Sequence, residues 1–350
     1  MQNIAYYRLR PSPGFHHVAR IVHMIEETSM ALLPPLRDSL ALPLVAAPMF
    51  IVSNPELVVA QCKAGIVGSF PALNARPAAE LETWLQRITS ELAAYDEAHP
   101  GAPAAPFAVN QIVHGSNDRL QHDLELCVKY QVPIVITSLG AKEFVNEAVH
   151  SYGGIVLHDV ISDAFARKAV AKGADGLIAV AAGAGGHAGS TSPFALVQEI
   201  REWFDGPLLL SGSIATGDGI LAAQAMGADL AYMGSAFIAT DEANAEQAYK
   251  QAIVDHASAD IINSNLFTGV HGNYLRPSIE AAGMDPDNLP EGDVSTMNFG
   301  SGGNTGAKAW KDIWGCGQGI GAVKAVQPTA TLVARLAAEY QAARERLQLC

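Results

Sequence analysis

The chain has 350 residues, 49% of them hydrophobic and 16% charged, so it can bury a substantial core, and neither a disordered nor a fibrous class fits. Its formal charge of −13 comes from 35 acidic against 22 basic residues with no Lys/Arg run, which argues against nucleic acid as a partner. Cys62, Cys127, Cys316 and Cys350 stand far apart with no C-x-x-C pair, which fits neither a disulfide framework nor a zinc site and points to a reducing cytoplasm.

Residues 1–29 lack clear periodicity, and no stretch is apolar and long enough for a signal h-region or a membrane span, so a soluble protein is expected. Met30 opens a proline-bearing approach to the first strand. The expectation is therefore either a native start at Met30 or a loosely packed 1–29, with 1–40 serving as an extension ahead of the fold.

From there, short apolar runs alternate with stretches of helical periodicity. Eight runs read as strands: 42–48, 65–70, 106–112, 133–139, 154–160, 175–182, 207–212 and 229–235. Helices are predicted between them at 55–64, 77–97, 118–130, 141–151, 162–172, 193–203 and 217–226, with Asn54, Asn117 and Ser192 as candidate N-caps. Gly65, Gly173 and Gly227 sit just past helix ends, and KGAD (172–175) and MGAD (226–229) read as one helix-to-strand turn used twice.

Strands apolar throughout and separated by helices imply a parallel sheet covered on both faces. Eight such units favour a closed (β/α)₈ TIM barrel over 41–258 rather than an open doubly wound sheet. Residues 245–258 read as the barrel-closing helix, and 259–350 as a smaller, partly helical C-terminal appendage.

In such a barrel the chemistry gathers at the C-terminal ends of the strands, and phosphates bind after strands seven and eight. Gly212 and Ser213 follow strand seven, while Met233, Gly234 and Ser235 close strand eight; glycines there let backbone N–H groups approach an anion. After strand six, GAGGHAGS (183–190) places His187 between small residues at a strand end, suited to a general base or a hydrogen-bond donor. Strand one ends in Ala46, Ala47, Pro48 and Met49, small enough to admit a flat ring. Asn110 ends strand three with an amide suited to a heteroaromatic edge. His158, beside Asp159 at the end of strand five, is the other histidine in a catalytic position. There is no metal-ligand spacing, nucleophile elbow or P-loop.

Together these residues resemble the nitronate monooxygenase family, formerly called 2-nitropropane dioxygenases, from about residue 42 to about 325. AAPM is similar to the family's first-strand flavin platform, Asn110 to its strand-three asparagine, AGGH (184–187) to its histidine loop, SGS (211–213) and YMGS (232–235) to its phosphate loops, and GCGQGIG (315–321) to its C-terminal GQ element. The resemblance implies FMN held by Ala47, Pro48, Met49, Asn110, Gly185, Gly186, Gly212, Ser213, Met233, Gly234 and Ser235, with His187 as catalytic base or substrate-orienting group. It implies oxidation of a nitronate or nitroalkane by O₂ to a carbonyl compound and nitrite, and leaves room for a homodimer. Departures from the family pattern are Val180 and Gly183 where polar groups are common, and His158–Asp159 where some relatives have a lysine.

The alternative within flavin chemistry is an NAD(P)H-dependent reductase of quinones or enoyl-thioesters. A non-redox barrel using Schiff-base chemistry would want a lysine at a strand end, and none is there. Substrate selection is expected from loops 111–117 and 139–142 and from 267–279, where Tyr274 and Arg276, with His158, are the candidate substrate contacts and part of the segment covers the flavin mouth.

Overall fold

The computed structural model describes residues 40–292 and 312–348, together with Leu36. The expectations for residues 1–29 and for Cys350 lie outside the described residues.

The first six barrel strands and their helices run in chain order: β1 (Leu44–Ala46), α1 (Pro55–Lys63), β2 (Gly68–Pro71), α2 (Glu80–Ala98), β3 (Phe107–Ile112), α3 (Leu120–Lys129), β4 (Ile134–Ser138), α4 (Glu143–His150), β5 (Ile155–Val160), α5 (Asp163–Ala171) and β6 (Gly176–Val180). Then come a two-residue strand β7 (Gly186–His187), α6 (Pro193–Arg201), β8 (Leu208–Ser211), α7 (Gly217–Ala225) and β9 (Leu230–Met233). Strands β1–β6, β8 and β9 form one parallel sheet in the order β1-β9-β8-β6-β5-β4-β3-β2. It closes on itself where Ala46 N donates to Val67 O (2.8 Å) and Val67 N to Leu44 O (3.3 Å). The result is the expected (β/α)₈ barrel, with every strand where an apolar run predicts one.

Alternation along each strand sorts side chains into two layers. Val45, Val67, Ala108, Ile134, Ile136, Leu157, Ile178, Leu209 and Leu230 fill the barrel, whereas Val109, Val135 and Val156 pack outward with α1 to α4.

The punctuation works as the sequence implies. Asn54 Oδ1 accepts from Leu57 N (2.9 Å), and Gly65, Gly173 and Gly227 all have positive φ. In the two similar turns the aspartate closes the motif in the same way: Asp175 Oδ2 accepts from Val156 N (2.7 Å) and Asp229 Oδ2 from Leu208 N (2.8 Å). Asn117 is not an N-cap. Its Oδ1 accepts from Arg119 N (3.1 Å) and its Nδ2 donates to Ile112 O (2.7 Å), which closes the loop before α3. Ser192 precedes α6 without a side-chain capping bond.

After β9 follow α8 (Ser235–Ile238), α9 (Gln247–Asp255), β10 (Ile261–Ser264), β11 (Gly272–Leu275), α10 (Arg276–Ala281), a 3₁₀ turn over Gln318–Ala322 and α11 (Thr329–Gln348). The helix expected at 245–258 forms as α9, but it packs on α8 and the 3₁₀ turn. The outer ring is completed instead by α11, which packs against α7 and α1. Gly217 N donates to Glu339 Oε2 (2.9 Å) and Tyr340 Oη to Gln224 Oε1 (2.6 Å). A Cβ on Gly217 would lie 2.2 Å from Tyr340 N, so glycine there allows α7 and α11 to touch backbone to backbone. Strand β11 pairs antiparallel with β10 on one side and β7 on the other, setting Gly272 opposite His187 and Asn273 opposite Gly186. The described residues from 259 onward thus belong to the same compact unit as the barrel.

Candidate active site

The 183–187 loop leaves β6 and returns as β7, with Gly183 (φ +86°) and Gly186 (φ +63°) making the turns. Three bonds tie it to later segments: Asn273 Nδ2 donates to Ala184 O (2.6 Å), Gln318 N to Gly183 O (2.9 Å) and Ser213 N to Gly183 O (3.3 Å), while Cys316 N donates to Asn273 O (3.2 Å) and joins two of those segments. Gly317 N donates to Ser235 Oγ (2.8 Å). The GCGQGIG element is therefore the clasp that gathers the histidine loop and both glycine loops into one place, a role its sequence alone did not reveal.

Half-buried His187 stands where the barrel mouth meets the appendage. Its Nε2 lies 2.9 Å from Thr268 Oγ1. That hydroxyl donates its single proton to Val270 O (3.0 Å), so the bond to His187 needs the proton on Nε2, which makes Nδ1 the lone-pair nitrogen. Burial pushes the ring's pKa down to about 4, so the imidazole is neutral through the physiological range.

Strand alternation decides which polar groups reach the barrel interior. Asn110 follows Ala108 inward, Ser138 follows Ile136, and Asp159 follows Leu157. They form a chain: Asn110 Nδ2 donates to Ile136 O (3.1 Å) and Ser138 Oγ (2.7 Å), and Ser138 Oγ donates to Asp159 Oδ2 (2.5 Å). With both amide protons engaged, Asn110 presents its carbonyl oxygen as an acceptor rather than both halves of the amide. Burial raises the Asp159 carboxyl to about 6 against the Ser138 bond. The period of two in IVLHDV singles out Asp159, rather than its neighbour His158, as the inward residue.

His158 points the other way. It shares the outward face with Val156 and Val160, is buried, and its Nδ1 lies 2.6 Å from Thr137 Oγ1. The structure does not bring it to the mouth. Segment 267–279 does reach the histidine loop through β11, but Tyr274 is buried with Phe267, Ile279 and Ile313. Arg276 forms a two-pronged pair with Asp287 (2.7 and 3.0 Å).

The platform residues divide similarly. Ala47 lines the barrel interior and its N–H donates to Met233 O (2.9 Å). Pro48 is part-exposed. Met49 packs against the outer core, and Met233 is buried within it, so Met233 offers the mouth only backbone. A Cβ on Gly234 would meet Ala47 Cβ at 3.4 Å and Met49 Sδ at 3.6 Å, so the small residues on β1 and after β9 face one another.

The glycine loops meet the physical needs of a bound phosphate in part. Gly212 (φ +140°) has no room for a Cβ, which would lie 2.8 Å from Ala182 O, and Ser213 holds φ +58°. A Cβ on Gly185 would lie 2.8 Å from Gly317 N, so that glycine is required by the clasp. Ser235 Oγ accepts from Gly317 N and keeps its own proton to donate. The N-terminus of α7 is already capped by Thr216 and Glu339. Among the described residues no His/Cys/Asp/Glu group could hold a metal ion, and no helix is long and apolar enough to cross a membrane.

The family described as nitronate monooxygenase matches residues 34–339. A nitronate monooxygenase of Paraburkholderia phytofirmans is 27% identical, covering 93% of this chain and 99% of that protein. A probable nitronate monooxygenase of Staphylococcus haemolyticus is 24% identical over 55% of this chain and 58% of its own length. Among solved structures, a nitroalkane oxidase from Streptomyces ansochromogenes superposes with a TM-score of 0.74 at 27% identity, covering 89% of this chain and 99% of the other. FabK from Thermotoga maritima shares the fold with a TM-score of 0.70 at 22% identity, covering 90% of this chain and 96% of that one. The chain is an oxidoreductase that belongs to the nitronate monooxygenase family.

Proposed function

We propose that the protein binds FMN at the C-terminal mouth of the barrel and oxidises alkyl nitronates, or nitroalkanes that give them, with molecular oxygen to a carbonyl compound and nitrite. The observation that carries this reading is the clasp: Gly317 and Gln318 bring the His187 loop and the Gly212–Ser213 and Gly234–Ser235 turns to one end of the barrel. Bound FMN supplies the two-electron chemistry.

The chain's own residues supply placement and proton handling. Ser213, Gly234 and Ser235 are the phosphate-side candidates, with the Ser235 hydroxyl able to donate. The face of Ala47 and Gly234 leaves room for a flat ring, and Asn110 offers an acceptor to a ring N–H. Neutral His187 is the base: its Nδ1 lone pair suits removal of a proton from the carbon beside a nitro group, and Thr268 holds the tautomer that this needs.

Anaerobic spectra of the FMN-loaded protein test the reading. Bleaching of the flavin by an alkyl nitronate and indifference to NADH and NADPH support it; rapid bleaching by a pyridine nucleotide, with no response to nitronate, indicates a reductase.

A further inference from the structure

Near the end of β5 stands Asp159, and its surroundings give that carboxyl a function. It lies on the interior face of β5 and remains part-exposed. Its Oδ2 accepts one uncharged hydrogen bond, from Ser138 on β4, while Oδ1 is buried and finds no hydrogen-bond partner among the described residues. On β6 the residue opposite it is Ile178, and Asn110 on β3 reaches it only through Ser138. The titratable group facing it is Tyr232 on β9, whose phenol is itself pushed up by burial and by Asp159. Among the described residues no Lys, Arg or His offsets its charge, and a buried carboxylate so poorly compensated favours the neutral acid.

We infer that Asp159 sets the charge of the ligand the mouth accepts: as the neutral acid it admits an anion, and as the carboxylate it turns anions away and leaves the mouth to neutral ligands. The inference rests on the reading of the mouth as the flavin and substrate site. It deepens that reading by making a neutral nitroalkane, deprotonated in place, the ligand favoured near neutral pH. The physical basis is the cost of placing two like charges within a few ångströms of each other away from water.

Nitrate, a planar anion with the charge of a nitronate, is the probe. Its Kd for the FMN-loaded protein is measured calorimetrically from about pH 5 to about pH 8, a range that spans the raised carboxyl, with FMN retention followed by absorbance in the same samples. The expected result is an affinity that falls by up to about tenfold per pH unit above the Asp159 transition, and that is independent of pH in Asp159→Asn. A wild-type affinity that is flat or undetectable throughout, or an equal fall in Asp159→Asn, overturns the inference. If that variant does not fold, Ser138→Ala serves: it removes the bond that favours the carboxylate, so the fall moves to higher pH, and an unmoved fall contradicts the inference. Failure of the wild-type protein to hold FMN at any pH counts against the flavin reading instead, and nitrate titration of the same protein without FMN then tests Asp159 by itself.

Discussion

His187 Nε2 lies 2.9 Å from Thr268 Oγ1, a bond that joins the loop after β6 to the segment before β11 and fixes which ring nitrogen carries the proton. Thr268→Val removes that acceptor while keeping the side-chain volume. It is expected to lower kcat/KM by about ten- to a hundredfold through misplacement of the ring, with FMN affinity unchanged and Thr268→Ser restoring most of the loss. Steady-state kinetics beside a flavin titration check this; equal rates in Thr268→Val and wild type would remove Thr268 from the account.

Replacing the ring itself should cost more. His187→Ala is expected to lose roughly 10² to 10⁴ in turnover with a nitroalkane substrate, while retaining FMN and a native melting curve. With the ring's pKa near 4, its own titration leaves no inflection in the wild-type rate between about pH 5 and about pH 8. A rate profile that rises through the ordinary histidine pKa, and loses that rise in His187→Ala, would contradict the neutral ring.

Buried His158 gives a stability prediction of definite sign. Its pKa is about 4 when folded, depressed by burial from 6.5, so between these values the unfolded chain binds more protons. Stability from this group is full above the unfolded value and is lost as pH falls. Between about pH 7 and about pH 5 the loss is up to about 2 kcal/mol. His158→Gln, which can keep a bond to Thr137, should unfold at a temperature less sensitive to acid over that window. Melting curves at both pH values measure this; parallel acid shifts in the two proteins would refute it.

A methyl group at Gly183 tests the packing of the histidine loop. Gly183 has φ +86°, and its Cβ would lie 2.1 Å from Ser213 Oγ, so Gly183→Ala both strains the backbone and pushes Ser213 out of place. A loss of about 1–3 kcal/mol of stability is expected from the strain, with weakened FMN retention. Wild-type flavin affinity in the variant would show that Ser213 takes no part in holding the cofactor.

Much of this was legible in the sequence, because the local rules and the fold agree. Strands buried on both faces appear as unbroken apolar runs, and each helix exit at Gly65, Gly173 and Gly227 needs the positive φ that glycine adopts readily. The contacts that were not legible are long-range. No local pattern in FTGVHGNYL tells that Gly272 will pair with His187, nor does the amphipathic run from Thr329 reveal that it, rather than α9, completes the helix ring. Asp159 is a different case. The alternation Leu157–His158–Asp159 already places the two polar residues on opposite faces, but a histidine beside a strand end draws attention by its chemistry alone, whichever face it occupies.

The reaction assigned to the mouth is tested most directly by adding a neutral nitroalkane to the FMN-loaded protein in air, without pyridine nucleotide, and following oxygen uptake and nitrite together. Uptake matched by nitrite, and greatly slowed in His187→Ala, is the expected result. No nitrite from the wild-type protein, with oxygen consumed only once NADH or NADPH is supplied, would contradict it.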